Sequence, residues 1–165
     1  MPETTVIVNT SPLLYLHQVG QLELLQKLYR QVAVPPAVIS ELEVGNQQGI
    51  DVPKINSIEW IQVLPVASAV LVPAVIDLGQ GEAEVLALGL ETPNSLLIFD
   101  DKLARRIADL YHLKYTGTLG ILVRAKQLGY LASVAPVIAR LQGQGMWLDA
   151  HIINDVLRLC KEEKP

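Results

Sequence analysis

Leu96-Leu97-Ile98-Phe99-Asp100-Asp101-Lys102-Leu103-Ala104-Arg105 joins an unbroken apolar run to a pair of acids and then to an amphipathic stretch. A short apolar run without polar alternation is the pattern of a strand covered on both faces, as in a parallel sheet. Leu103, Ile107 and Leu110 then recur at helical spacing, so a helix over 101–112 follows the strand directly. Working outward, the same pattern returns. Val6-Ile7-Val8 ends in Asn9, and Thr10-Ser11-Pro12 reads as a helix start leading through Leu13, Leu14 and Leu16 to Gly20. A second helix follows over 22–29. Val32-Ala33-Val34 is the next strand, and Pro35-Pro36 opens a helix through Val44 that Gly45 should close. Residues 46–58 read as loop, 60–64 as a strand, and 66–78 as ambiguous, with Pro73 limiting any helix there. Gly79-Gln80-Gly81 precedes a helix over 82–90. Lys114-Tyr115-Thr116 is a short fifth strand, with helices expected from Gly117-Thr118 to Leu128, over 134–141 and over 149–160. Strands alternating with helices predict an α/β fold, a three-layer parallel sheet of about 4–5 strands flanked by helices. Neither a repeat nor a linker divides it, so residues 1–165 form one domain.

Half of the residues are apolar and 18% are charged, which excludes a disordered chain. A net charge of −4 argues against strong non-specific attraction to nucleic acid, although a bound cation would reverse the sign of a local acidic cluster. One cysteine, Cys160, rules out an internal disulfide and fits a reducing compartment. The start of the chain shows no secretory pattern. The longest apolar-rich stretch, 63–76, is too short for a spanning helix and is broken by Pro65 and Pro73. The expectation is a cytoplasmic protein with no membrane role. The apolar surplus leaves room for a homodimer interface or a bound peptide.

In a parallel α/β fold, strand C-termini and helix N-termini meet along one edge, where ligands bind. Five side chains fall there: Asn9, Glu41, Glu82, Asp100 and Asp101. Asn9 ends the first strand, as a turn former or a neutral oxygen ligand. Glu41 lies just over one turn into its helix and shares a face with Ala37, Val38 and Val44, whereas Glu43 points nearly the opposite way. Glu82 heads a helix that is apolar almost all round, with Glu84 as the only other acid nearby. One member of the Asp100–Asp101 pair can cap the helix that follows, which leaves the second for other work. Carboxylates gathered at one edge repel unless a cation sits between them, and divalent metals with carboxylate ligands suit phosphate chemistry. Lys102, Arg105 and Arg106 are either a solvated face with an Arg105–Asp109 pair or contacts to substrate phosphates. The three histidines show no metal-ligand spacing, Cys160 reads as a packed thiol, and Trp60 and Trp147 as core or partly buried packing.

Taken in order, Val8-Asn9-Thr10-Ser11-Pro12-Leu13, Val34-Pro35-Pro36-Ala37-Val38 with Glu41, Gly81-Glu82-Ala83-Glu84, Ile98-Phe99-Asp100-Asp101-Lys102-Leu103-Ala104-Arg105 and Thr116-Gly117-Thr118-Leu119-Gly120 resemble the PIN-domain proteins. The nearest likeness is to a prokaryotic subgroup related to the VapC-type toxins. The resemblance implies a parallel sheet flanked by helices and Mg²⁺- or Mn²⁺-dependent cleavage of RNA. By position, Asn9 stands where the first aspartate is usual, Glu41 matches the second acid and Glu82 the third. Asp101 matches the fourth, with Asp100 sharing its role, and a hydroxyl of Thr10 or Ser11 would support water or metal near Asn9. Metal would therefore be held by Asn9, Glu41, Glu82 and Asp101. The departure at Asn9 replaces a full charge by a dipole and weakens a hard-cation site. The reading is a metal-dependent endoribonuclease, a hydrolase acting on RNA, that could be the toxin half of a toxin–antitoxin pair with an antitoxin protein as partner. The alternative is a catalytically silent PIN-like module that binds a protein or RNA. A receiver domain fits less well, because it needs an acidic pair after the first strand, where this chain has Asn9-Thr10.

Overall fold

The computed structural model describes residues 3–68 and 77–163. Five strands form one sheet: β1 (Thr5–Val8), β2 (Val32–Val34), β3 (Ile61–Val63), β4 (Ser95–Ile98) and β5 (Lys114–Thr116). Their order is β3-β2-β1-β4-β5 and every neighbouring pair is parallel. Eight α-helices accompany them among the described residues. These are α1 (Thr10–Gln18), α2 (Glu23–Tyr29), α3 (Pro36–Gln47), α4 (Gln80–Glu91), α5 (Lys102–Leu110), α6 (Thr118–Gln127), α7 (Ala135–Gly143) and α8 (Ala150–Leu159). A 3₁₀ turn spans Ile55–Ser57. The expected α/β architecture is therefore what the chain adopts.

β1 and β4 lie at the centre, paired in register from Thr5↔Ser95 to Val8↔Ile98. Their apolar runs are buried on both sides, as are Phe99 and most of α4 from Ala83 to Gly89. From β1 the chain steps to β2 on one side, and from β4 to β5 on the other. Parallel crossovers are right-handed, so these opposite steps put α1 and α2 on one face and α5 on the other. The strand order reverses between β1 and β4, and the crevice beyond their C-terminal ends is the place where such sheets bind ligands. Asn9 and Asp100 stand there.

Several boundaries differ from the expectation. Gly45 does not close α3. It lies inside the helix, which runs on to Gln47 with Gln48 as its C-cap and ends before Gly49, whose φ of +81° suits a residue without a side chain. Val44, expected on the inward face with Ala37 and Val38, is 52% exposed, and Leu42 is the buried residue of that turn. The Gly79-Gln80-Gly81 stretch is not all loop, since α4 already begins at Gln80. Trp60 is half-buried, as expected, but Trp147 is 79% exposed and not a packing residue. The ambiguous stretch 66–78 falls largely outside the described residues. Cys160 is buried, and that burial, with the nearby Glu162 carboxylate, raises its thiol pKa against the lowering effect of Lys126. Among the described residues no helix is long and apolar enough to cross a membrane.

The tail of the chain is tied back onto the body at Glu162. Its carboxylate accepts hydrogen bonds from the Ser133 hydroxyl (2.6 Å) and from the backbone N–H groups of Val134 (2.8 Å) and Ala135 (3.1 Å), with Lys126 Nζ at 3.4 Å. It thus satisfies the open N–H groups at the head of α7, where no side chain of the helix's own cap residue does so.

Candidate functional site

Asn9 follows β1 with extended backbone and is held to the neighbouring strand, its N–H donating to the Ile98 carbonyl at 2.9 Å. Its side chain is 1% exposed. The amide Nδ2 donates to Glu82 Oε1 at 2.9 Å, across 73 residues of sequence. Next to it, the Thr10 hydroxyl donates to Glu41 Oε1 at 2.5 Å, and Glu41 Oε2 accepts the Gly81 N–H at 3.1 Å. Three expected site residues are thereby brought into one network with Thr10 and Gly81, drawn from the junction of β1 with α1, from α3 and from the head of α4.

Gly81 is what lets them meet. A Cβ built on it would collide with Glu41 Oε1 and stand 2.8 Å from Asn9 Oδ1 and 3.1 Å from Glu41 Cδ. Any side chain there would fill the space that those oxygens face. Asn9 Oδ1 is itself buried and accepts no hydrogen bond. A buried carbonyl oxygen without a donor is costly. Here it sits beside a carboxylate that offers it no proton, so the site is a concentration of acceptors with too few donors.

Glu84, on the same turn as Glu82, does different work. Its Oε2 accepts the Ala37 N–H at 3.2 Å, capping α3, whose Pro35–Pro36 start supplies no side-chain cap. α3 and α4 therefore exchange carboxylates: Glu41 takes an amide at the head of α4, and Glu84 takes one at the head of α3. Between them opens a cleft of about 490 Å³ lined by Pro36, Ala37, Val44 and Glu41, among others.

Both members of the acidic pair after β4 are engaged as caps. Asp101 is the N-cap of α5, its Oδ1 accepting from the Ala104 N–H at 2.8 Å. Asp100 Oδ1 accepts the Thr118 N–H at 2.8 Å, and its Oδ2 accepts the Thr118 hydroxyl at 2.7 Å. The acid left over from capping α5 thus caps α6, eighteen residues further along. These bonds hold Asp100 and Asp101 at the same sheet edge as Asn9, but none of them reaches Glu41 or Glu82. Among the described residues no three aspartate, glutamate, histidine or cysteine side chains stand together as a ready ligand set. The network at Asn9 holds two carboxylates and one amide oxygen.

Those oxygens fit a hard cation. An orphaned amide oxygen, two carboxylates oriented by Thr10 and Asn9, and a glycine that leaves their approach open make an all-oxygen donor set, which suits Mg²⁺ or Mn²⁺ over softer metals. The sequence did not reveal Thr10 donating to Glu41, Gly81 as the cradle, or Glu84 as a cap. Only the hydroxyl after Asn9 carried a local signal for any of them.

Comparison with families of known proteins gives a match to the PIN domain over residues 5–162. Neither the curated proteins nor the solved structures give a match. With nearly the whole length aligned and the five-stranded parallel sheet in place, this chain belongs to the PIN-domain family, a family of nuclease type.

Proposed function

We propose that this protein is a divalent-metal-dependent ribonuclease that hydrolyses RNA phosphodiesters. The observation that carries the reading is the Asn9–Glu82 and Thr10–Glu41 network around the unpartnered Asn9 Oδ1, at the point where the strand order reverses. Asn9, Glu41 and Glu82 would hold Mg²⁺ or Mn²⁺, with Asp101, and Asp100 beside it, as the further acids. When bound, that metal supplies Lewis-acid activation of water and neutralises charge developing on the leaving oxygen. The chain's own residues prepare the ground. Asn9 Nδ2 turns Glu82 toward the site, Thr10 and the Gly81 amide hold both oxygens of Glu41, and the buried setting of Asn9 limits solvent. The cleft beside Glu41 has apolar walls in Pro36, Ala37 and Val44 that would take the face of a base. Such a protein is suited to act as the toxin half of a toxin–antitoxin pair, and a small reading frame adjoining its gene is what checks that.

The test is cleavage of single-stranded RNA by the purified protein with Mn²⁺, beside a chelated control, for the parent and Glu82→Gln. Cleavage by the parent alone, with both proteins melting at similar temperatures, is expected. Equal cleavage by Glu82→Gln sinks the assignment.

One observation favours a second reading, a silent PIN-like module that binds a protein or RNA. Asn9 brings a dipole where an aspartate would bring a charge, and its amide already spends one contact inside the chain. Titration calorimetry separates the two, because a silent module shows no heat of binding with millimolar Mn²⁺.

A further inference from the structure

Arg105, one turn along α5 from Asp101, has the surroundings of a cation held ready for an anion. Its guanidinium lies over the Tyr115 ring, 5.7 Å from the centroid, and Tyr115 stacks on buried Phe99 with centroids 5.3 Å apart. Stacking fixes the guanidinium plane and leaves its N–H edge free. The Arg105 Nε is buried and donates to nothing, and none of the ion pairs among the described residues includes Arg105. Asp109, its expected partner on the same helix, makes no ion pair with it among the described residues, and its carboxylate lies near enough to the Tyr115 hydroxyl to raise that group's pKa. Arg105 Nη2 comes over Gly117, where a Cβ would meet it and would stand 2.6 Å from Asp100 Oδ1. Asp100 nevertheless spends both oxygens on Thr118.

A buried guanidinium N–H without an acceptor costs stability, and a fold can retain one where a ligand brings the acceptor. Position says which ligand. Phe99 follows β4, whose last carbonyl accepts the Asn9 N–H, so this stack stands at the edge that carries Asn9 and Glu82. A chain of net charge −4, with two carboxylates in its site, needs a fixed positive group to hold a polyanion there.

The geometry points to Arg105 as a phosphate-binding residue of this site, its guanidinium edge taking the non-bridging oxygens of an RNA phosphate. A planar, stacked fork matches that group better than a flexible ammonium does. This inference rests on the ribonuclease reading for its substrate class, but it concerns binding, and binding is measured without turnover.

The experiment is fluorescence anisotropy of a labelled single-stranded oligouridylate over a salt series, with Ca²⁺ in place of Mg²⁺ and again with EDTA. It compares the parent, Arg105→Ala, Arg105→Gln and the charge-matched control Arg140→Ala on α7, whose side chain is exposed. Arg105→Ala should weaken binding about tenfold, the worth of a charge-assisted hydrogen bond. It should also flatten the dependence of log affinity on log salt by about 0.7, the share of one phosphate on a single strand. The Arg140 control should bind as the parent does. If Arg105→Ala fails to melt cooperatively, Arg105→Gln decides, because it keeps a polar stem over Tyr115 without the charge. Parental affinity and slope in a folded Arg105 variant overturn the inference, as does a parent that binds no RNA in either condition. RNA held through Arg105 by a protein that never cleaves it would sink the nuclease reading alone. Cleavage with Arg105 variants binding normally would sink this inference alone.

Discussion

Asn9 shows how one side chain sets the character of a site. An aspartate in its place would add a third charge beside Glu41 and Glu82 and remove the N–H that Glu82 accepts from Asn9 among the described residues. Without metal, Asn9→Asp should therefore melt at a lower temperature than the parent. With Mn²⁺ it should regain more than the parent does, because a ligand that binds only the folded state stabilises it more the more tightly it binds, with the logarithm of its affinity. Thermal melting with EDTA and with Mn²⁺ checks both halves, and an unchanged Mn²⁺-induced rise would show that position 9 does not face the cation. That Asn9 ends a strand was legible from Val6-Ile7-Val8 alone. That its Oδ1 lacks a donor was not, because the reason lies 72 residues away, in a glycine whose missing Cβ leaves the space.

At the scale of elements, the acidic pair after β4 serves two helices. Asp101 caps α5, and since asparagine caps as well as aspartate, Asp101→Asn should hold the fold, whereas Asp101→Ala should lose about 1 kcal/mol. Urea unfolding of the two variants checks this. If Asp101 also contributes its charge to the site, Asp101→Asn should in addition lose RNA cleavage, and unchanged cleavage would leave Asp101 only its cap. Apolar periodicity located every described strand and α-helix to within a few residues, because core burial dictates it, whereas the 3₁₀ turn at Ile55–Ser57 fell in a stretch read as loop. Helix ends were harder to read. Gly45 looked like a stop but tolerates helix geometry, and the chain waits for Gly49, where positive φ is required. Asp100's use as a cap for α6 was invisible for the same reason as the Gly81 cradle: its partner, Thr118, is adjacent only once β4 and β5 have paired.

Across the whole molecule, the tail bond at Glu162 gives stability an acid limb. Burial acts to raise the pKa of this carboxyl, but the hydrogen bonds from Ser133, Val134 and Ala135, with the Lys126 charge, outweigh it and bring the value from 4.5 to about 2. A folded value below the unfolded one means that the contribution is complete above 4.5 and is lost as pH falls toward 2. Glu162→Gln should lower stability at neutral pH and lose less than the parent on acidification. Urea midpoints at neutral and acid pH measure that difference, and parallel losses in the two proteins would remove Glu162 as the cause. The exchange of carboxylates between α3 and α4 has a different reach. Because Glu41 accepts the Gly81 amide while Glu84 accepts that of Ala37, opening either helix head breaks one of the two bonds that tie it to its neighbour, which couples the two openings. Deuterium uptake at those two amides should thus follow one shared rate, and Glu84→Ala should quicken both, so a label read in one helix reports the opening of its neighbour.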